Sequence, residues 1–196
     1  MLSSVVLAAG ESRRMGYWLK ALLPLRGSTF LEVIVHTMVS AGVDECLVVT
    51  GYKHESIRTS VQLAEARFLV NEDWKSGQLS SLQTAVRALS PGSKGMLFIP
   101  VDHPLVNIVS YRLLIERWQK NRDRMVIPRY EGRKGHPAIF PSRLYDPLLH
   151  DTLQGGARDL IYREMDSVLF VPVPDPGVIY DIDTPDDYKR LIGDLP

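Results

Sequence analysis

Residues 5–20 read VVLAAGESRRMGYWLK, and no other stretch narrows the fold as much. Val5-Val6-Leu7-Ala8-Ala9 is an apolar run without alternation. Such a run suits a strand buried on both faces, as in a parallel sheet. Gly10 breaks it into a polar loop with Arg13, Arg14 and Gly16. The small residues Ala8, Ala9 and Gly10 let a flat or bulky ligand lie against the backbone. Gly10 and Gly16 admit backbone conformations closed to side chains. Backbone N–H groups in such a loop converge on anions. Arg14 offers a fixed positive charge and Lys20 a mobile one, as a polyphosphate requires. The stretch predicts a triphosphate cradle at the carboxyl end of the first strand. The competing reading is a surface turn with solvated arginines, since strand-to-glycine junctions are common in α/β folds.

Two familiar phosphate loops are excluded. A Walker A loop has four residues between its glycines, then Lys-Ser or Lys-Thr. Here Gly10 and Gly16 enclose five, and Tyr17 follows. The dinucleotide fingerprint GxGxxG is missing, because Glu11 and Ser12 follow Gly10, which argues against a Rossmann oxidoreductase. The formal net charge is zero, so nothing points to nucleic acid or an anionic membrane. At 196 residues the expectation is one domain, 1–196, with a full core. The lone Cys46 has no internal partner, and the first residues lack a basic, long apolar leader. Both lead to the expectation of a cytoplasmic protein.

Along the chain, Thr29 and Glu32 form a capping box for a helix from Phe30 to Ala41, ended by Gly42. Strand Cys46–Thr50, a helix from Glu55 to Ala64 and strand Arg67–Val70 complete a βαβαβ series of parallel type. Gly77 precedes a helix running to about Leu89, with Ser80 and Ser81 in its first turns. Gly95–Pro100 is a fourth buried strand and delivers Val101-Asp102-His103-Pro104. A carboxylate there faces the crevice where open α/β sheets bind ligands. Asp102 is therefore a candidate for Mg²⁺, which takes one or two carboxylates plus substrate phosphates. The competing role is an N-cap for the helix near Ile108, predicted over Ser110–Lys120. Strand Met125–Pro128, the basic turn 129–135, a short helix Leu144–His150 and a helix ending at Glu164 follow. Then come strand Ser167–Val173 and Asp181-Ile182-Asp183-Thr184-Pro185. Thr184 suits an N-cap, Pro185 the first helical position, and Asp186 and Asp187 the positive helix end. Asp181 and Asp183 have no such structural role, and alternation puts them on one side.

LAAGESRRMG followed by Lys20 resembles the signature LAAGxSxRMGxxxK of MobA-like nucleotidyltransferases, closest to the molybdenum cofactor cytidylyltransferases. The likeness covers nearly the whole chain. It implies a Rossmann-like α/β fold of the nucleotide-diphospho-sugar transferase type, a predominantly parallel sheet with helices on both faces. By the same match, Leu7, Ala8, Ala9, Gly10 and Ser12 bind nucleotide, and Arg14 and Lys20 are catalytic. Asn71, Gly77 and Ser81-Leu82 resemble the segment that encloses the base, with Ser81 as the contact; helix capping is the alternative. Asp102 and Pro104 match an Asp-x-Pro element, although His103 stands where the cytidylyl branch most often has Gln. DIDTPDDY resembles DIDTPEDL, which implies Asp183 as second metal ligand with Asp181 in support. Gly135-His136-Pro137 and Gly156-Ala157-Arg158 resemble acceptor-side elements. They imply Gly135, His136 and Arg158 at the acceptor, while Arg133 and Lys134 suit a solvated hairpin. Leu-Ala-Ala-Gly resembles the CTP-using branch; the guanylyl branch usually reads Leu-Ala-Gly-Gly.

The implied reaction is Mg²⁺-dependent transfer of CMP from CTP to the phosphate of a molybdopterin-type cofactor, with an apo-molybdoenzyme as a further partner. One rival is a GTP-using or sugar- or polyol-phosphate transferase of the same fold. Another is a non-catalytic chaperone that delivers the cofactor, which would have no need of metal-binding carboxylates.

Overall fold

The computed structural model describes residues 1–150 and 153–195. In chain order they form β1 (Leu2–Ala8), β2 (Pro24–Leu25), β3 (Ser28–Thr29), α1 (Phe30–Ala41), β4 (Glu45–Thr50), α2 (His54–Ser60) and β5 (Arg67–Val70). Then follow α3 (Gln78–Ala88), β6 (Gly95–Pro100), α4 (Ile108–Gln119), β7 (Met125–Tyr130), β8 (Arg133–Lys134) and β9 (Ala138–Pro141). α5 (Tyr145–Leu149), α6 (Ala157–Arg163), β10 (Val168–Pro172) and α7 (Pro185–Leu191) complete the chain.

The main sheet runs β10-β7-β9-β6-β1-β4-β5, with β8 hooked to β7. β5, β4, β1 and β6 are mutually parallel, and β7 pairs parallel with β10. β9 alone on this path runs against its neighbours. This mixed α/β sheet with helices on both faces is the architecture the sequence predicts.

β1 is the centre, and all seven of its residues are buried. Val6 and Ala8 join one apolar cluster with residues of α1, α2, α4 and α7; Val5 and Leu7 join another with α3, α5 and α6. The strand starts earlier than the apolar run, because buried Ser3 and Ser4 are satisfied. Ser3 Oγ donates to Glu45 Oε2 at 2.7 Å, and Ser4 Oγ to the Glu45 carbonyl at 3.0 Å. A buried hydroxyl with a partner costs little.

The Thr29/Glu32 capping box forms, and Gly42 closes α1 at φ 98°. α2 ends at Ser60, short of the predicted Ala64, because Val61 turns extended and Val61 and Leu63 sink into the core. α4 begins at Ile108, with Asn107 Oδ1 accepting from the Val109 N–H at 3.0 Å. Asn107 therefore fills the N-cap role weighed for Asp102. No described helix is long and apolar enough to cross a membrane.

Register gathers the loops that matter. Ala8 lies opposite Thr50, and Leu7 opposite Pro100, so β1, β4 and β6 end on one edge. The Tyr52 N–H donates to the Ala9 carbonyl at 3.0 Å, and the Val101 N–H to Leu7 at 3.1 Å. The Ile182 N–H donates to the Asp102 carbonyl at 2.9 Å, stitching the distant C-terminal segment to the end of β6. Antiparallel β9 pairs Ala138 with Phe98, so Gly135-His136-Pro137 arrives at the same end.

Candidate active site

Two cavities open along this edge. The smaller, about 230 Å³, has Leu7, Ala8, Ala9 and Gly10 along one wall, with Ser12 and Lys20 beside them. Gly77, Gln78 and Ser81 form a second wall, and Pro100, Val101 and Asp102 a third. Gly10 does not take a positive φ, and a Cβ built on it meets nothing within 4 Å. It leaves an open face, so the predicted conformational need falls instead on Gly16 at φ 69° and, less expectedly, on Ser12 at φ 57°. Ser12 Oγ accepts from the Lys20 N–H at 3.2 Å, which ties the loop to its lysine.

The charged centre lies at this cavity's edge. The Lys20 ammonium sits between two carboxylates, 3.2 Å from Asp102 Oδ2 and hydrogen-bonded to Asp183 Oδ1. Arg14 Nη2 holds Asp183 Oδ2 at 2.7 Å. The glycine turn and the two remote aspartates therefore meet. Burial pushes the Asp183 carboxyl up, but Lys20 and Arg14 outweigh it and hold it below the usual range. The α7 capping box fixes this residue from behind: Asp187 Oδ2 accepts from the N–H groups of Asp183 and Thr184.

Asp102 Oδ1 is buried and has no hydrogen-bond partner. An orphaned carboxylate oxygen beside a second carboxylate fits a hard cation. Among the described residues no group of three or more His, Cys, Asp or Glu is placed to hold a metal. A cation would use the two aspartates and take its other ligands from substrate oxygens, as Mg²⁺ commonly does. Asp181 departs from the predicted supporting position. Ile182 is fully buried between the two aspartates, as alternation requires, but only Asp183 reaches Lys20. Asp181 lines the larger cavity.

Ser81 is buried in the small cavity's wall, where its Oγ accepts from Asn71 Nδ2 at 3.0 Å. Gly77 is the N-cap of α3 and no side chain caps it, so the capping alternative holds for Gly77 and is not realised for the serines. Ser80 Oγ instead donates to the carbonyls of Asp73 and Gly77. Trp74 also lines this cavity and was not singled out from sequence. A Cβ on Gly51 would lie 2.6 Å from Trp74 Cβ and 3.0 Å from the Ala9 carbonyl. The signal for Trp74 was weak: a lone aromatic beside Asn71 and Gly77, opposite a glycine leaving a strand.

The larger cavity, about 810 Å³, contains Gly135, His136 and Arg158, with Arg133 and Lys134 at its cationic side. β8 is exposed, as expected of a hairpin, and Lys134 Nζ lies 5.4 Å from the Tyr162 ring centre. A Cβ at Gly135 would collide with the Val178 carbonyl. The next N–H, of His136, donates to that carbonyl at 2.8 Å. The His103 and His136 rings stand 4.8 Å apart. Burial, then His103 and Arg158, drive the His136 pKa down to about 3. Burial also lowers His103, against the pull of Asp102. Both imidazoles are neutral near pH 7, and the Nδ1 of each is buried without a partner. Gln78 alone of the described residues lines both cavities.

Comparison with known proteins places this architecture. A model of the MobA-like NTP transferase domain matches residues 4–168. The chain belongs to this family. Its class as an enzyme is nucleotidyl transfer. This MobA-like chain is 30% identical to nicotine blue oxidoreductase of Paenarthrobacter nicotinovorans, over 97% of its own length and 96% of the relative's. It is 26% identical to molybdenum cofactor cytidylyltransferase of Escherichia coli, over 95% and 93%. The crystal structure of Rv0371c from Mycobacterium tuberculosis superposes with a TM-score of 0.84 at 30% identity, covering 97% and 96%. The same protein is also known in complex with manganese, with a TM-score of 0.80 at 28% identity and coverage of 97% and 97%.

Proposed function

We propose that the chain, acting as one catalytic unit, transfers CMP from CTP to the phosphate of a molybdopterin-type acceptor and releases pyrophosphate. The observation that carries this reading is the Lys20 ammonium between Asp102 and Asp183 at the mouth of the Ala8–Gly10 cavity. The cytidylyltransferase relative supports the nucleotide and acceptor, and the Leu-Ala-Ala-Gly start supports CTP over GTP.

In the reaction, an acceptor phosphate oxygen bonds to the α-phosphorus while the α–β bridging bond breaks. The acceptor phosphate is already ionised near pH 7, so no strong general base is needed. That suits the two neutral imidazoles, which bind rather than take protons. Catalysis is then positioning and charge stabilisation. Leu7 to Gly10 and Ser81 hold the nucleoside; Arg14 and Lys20 neutralise the triphosphate and the departing pyrophosphate. Gly135, His136 and Arg158 hold the acceptor in the larger cavity. Asp102 and Asp183 would hold Mg²⁺, which when bound would neutralise charge on the reacting phosphates.

The relative named an oxidoreductase supports a second reading, reduction of an aromatic acceptor by a nicotinamide that is oxidised in turn. The rings of Phe98, His103, His136 and Tyr162 around the larger cavity are the feature that favours it. One panel separates the readings. CTP, GTP and ATP are each supplied with Mg²⁺ and reduced molybdopterin or a sugar phosphate, and pyrophosphate and product mass are followed. A parallel arm follows NADH and NADPH oxidation. Transfer from CTP to molybdopterin is expected. Transfer only from GTP, or only to the sugar phosphate, or oxidation of the nicotinamide without pyrophosphate release, would replace the proposal.

A further inference from the structure

We infer that Asp175 is a positioning residue: its carboxylate sets the segment that carries Asp183, and with it the His136 loop, against the segment that carries Asp102. This role rests on the nucleotidyl-transfer reading and adds to it the part that joins the donor side of the site to the acceptor side.

Asp175 lines neither cavity. It heads a strap, residues 175–183, that is fastened to residues 102–107 at three points. Asp175 Oδ2 accepts from the Asn107 N–H at 2.8 Å and from Ser110 Oγ at 2.7 Å. Gly177 lies so close to the Leu105 carbonyl that a Cβ there would collide with it. The Ile182 N–H donates to the Asp102 carbonyl at 2.9 Å. Residue 175 thus meets 107, 177 meets 105 and 182 meets 102, so the two segments run side by side in opposite directions. The middle of the strap holds the acceptor loop, because the Val178 carbonyl accepts from the His136 N–H at 2.8 Å.

One carboxylate does two jobs here. Asp175 Oδ1 accepts from the Gly177 N–H at 2.9 Å and so shapes the turn at 176–179. Oδ2 ties that turn to a firm point, the first turn of α4, where Asn107 is the N-cap and Ser110 is buried. Hydrogen bonds to a charged acceptor are about twice as strong as neutral ones. The other two fastenings to residues 102–107 are a neutral backbone bond and a close packing contact. A strap loosened at Asp175 would shift Asp183 and the His136 loop together, relative to Asp102. A displacement of about 1 Å at reacting groups can cost about 100-fold in rate. The nucleotide walls at Leu7–Gly10 and Gly77–Ser81 belong to other segments, so CTP binding should feel the change less.

The test is Asp175→Asn, which keeps the shape but can no longer accept at both atoms. Pyrophosphate release is followed with CTP and reduced molybdopterin. The variant's kcat should fall at least about tenfold and its KM for molybdopterin should rise, with the KM for CTP within about threefold of wild type. Glu45→Gln is the control. It disturbs hydrogen bonds from Ser3 and Ser90 at the opposite end of the sheet, and it should melt lower than wild type yet keep its kinetic constants. A second readout needs no turnover. Amide hydrogen exchange at His136 and Ile182 should quicken at least about tenfold relative to β1 in Asp175→Asn, and not in Glu45→Gln. If Asp175→Asn does not fold, Ser110→Ala, which removes one of the three bonds, should show smaller changes of the same kind. Kinetic constants like those of wild type, or equal losses in Glu45→Gln, would make Asp175 a purely structural residue and overturn its positioning role while leaving nucleotidyl transfer standing. No transfer by wild type would instead overturn the nucleotidyl-transfer reading, and exchange at the two amides would then decide the positioning role.

Discussion

Asp102→Asn is the substitution whose two consequences separate most cleanly. It keeps the shape of the side chain and removes one negative charge. For stability, Lys20 loses one partner at 3.2 Å and keeps the other, Asp183. Asp102 is also 24% exposed, so the amide still meets solvent. The lost pair is therefore nearer a surface pair than a buried one, and unfolding free energy should drop by about 1 kcal/mol or less. For catalysis the effect is far larger. Loss of one preorganised charge-stabilising group typically costs about 3–4 kcal/mol in the transition state, or about 100- to 1,000-fold in kcat. Pyrophosphate release from CTP, followed beside chemical denaturation, reads both effects. A variant that unfolds like wild type and turns over at least about 100-fold more slowly is expected. Turnover within about threefold of wild type would refute the placing of Asp102 at the reacting phosphates.

Three other perturbations follow from the same geometry. Gly51→Ala forces a Cβ to within 2.6 Å of Trp74, and thermal denaturation should show a loss of about 1–3 kcal/mol together with a raised KM for nucleotide. Glu32→Gln should cost about 1 kcal/mol at pH 7 by denaturant melts. Burial raises the Glu32 carboxyl, but hydrogen bonds from Gln62, Ser28 and Thr29 prevail and hold it at about 2, so its contribution is present above about 4.5 and fades as pH falls toward 2. His136 is held neutral by burial down to about pH 3 while the unfolded chain takes its proton near 6.5, so stability should fall with pH across that window and fall less steeply in His136→Gln.

Much of this was legible in the chain because local chemistry and tertiary demand agree. The β1 run is apolar because both faces are covered, and Thr29 with Glu32, like Thr184 with Asp187, announces a helix start that forms as read. Asp102 at the end of β6 follows from the rule that parallel strands deliver loops to one edge, whereas Asp183 is expected beside it only from the family resemblance. Other features depend on pairings that no local pattern encodes. Ser3 and Ser4 look like surface residues until Glu45 receives them. α2 stops early because Val61 and Leu63 gain more from burial than from another helical turn. The reversed direction of β9, which sets His136 against His103, is a sheet-level outcome. Asp181 and Asp183 share a side by alternation, yet only the three-dimensional reach of Lys20 separates their surroundings.

The most direct measurement is the position of Mn²⁺ by anomalous scattering in crystals grown with a non-hydrolysable CTP analogue. A peak between Asp102 and Asp183, with the triphosphate against Gly10 and Lys20, is the predicted result. A metal or triphosphate bound away from these two carboxylates would contradict the account.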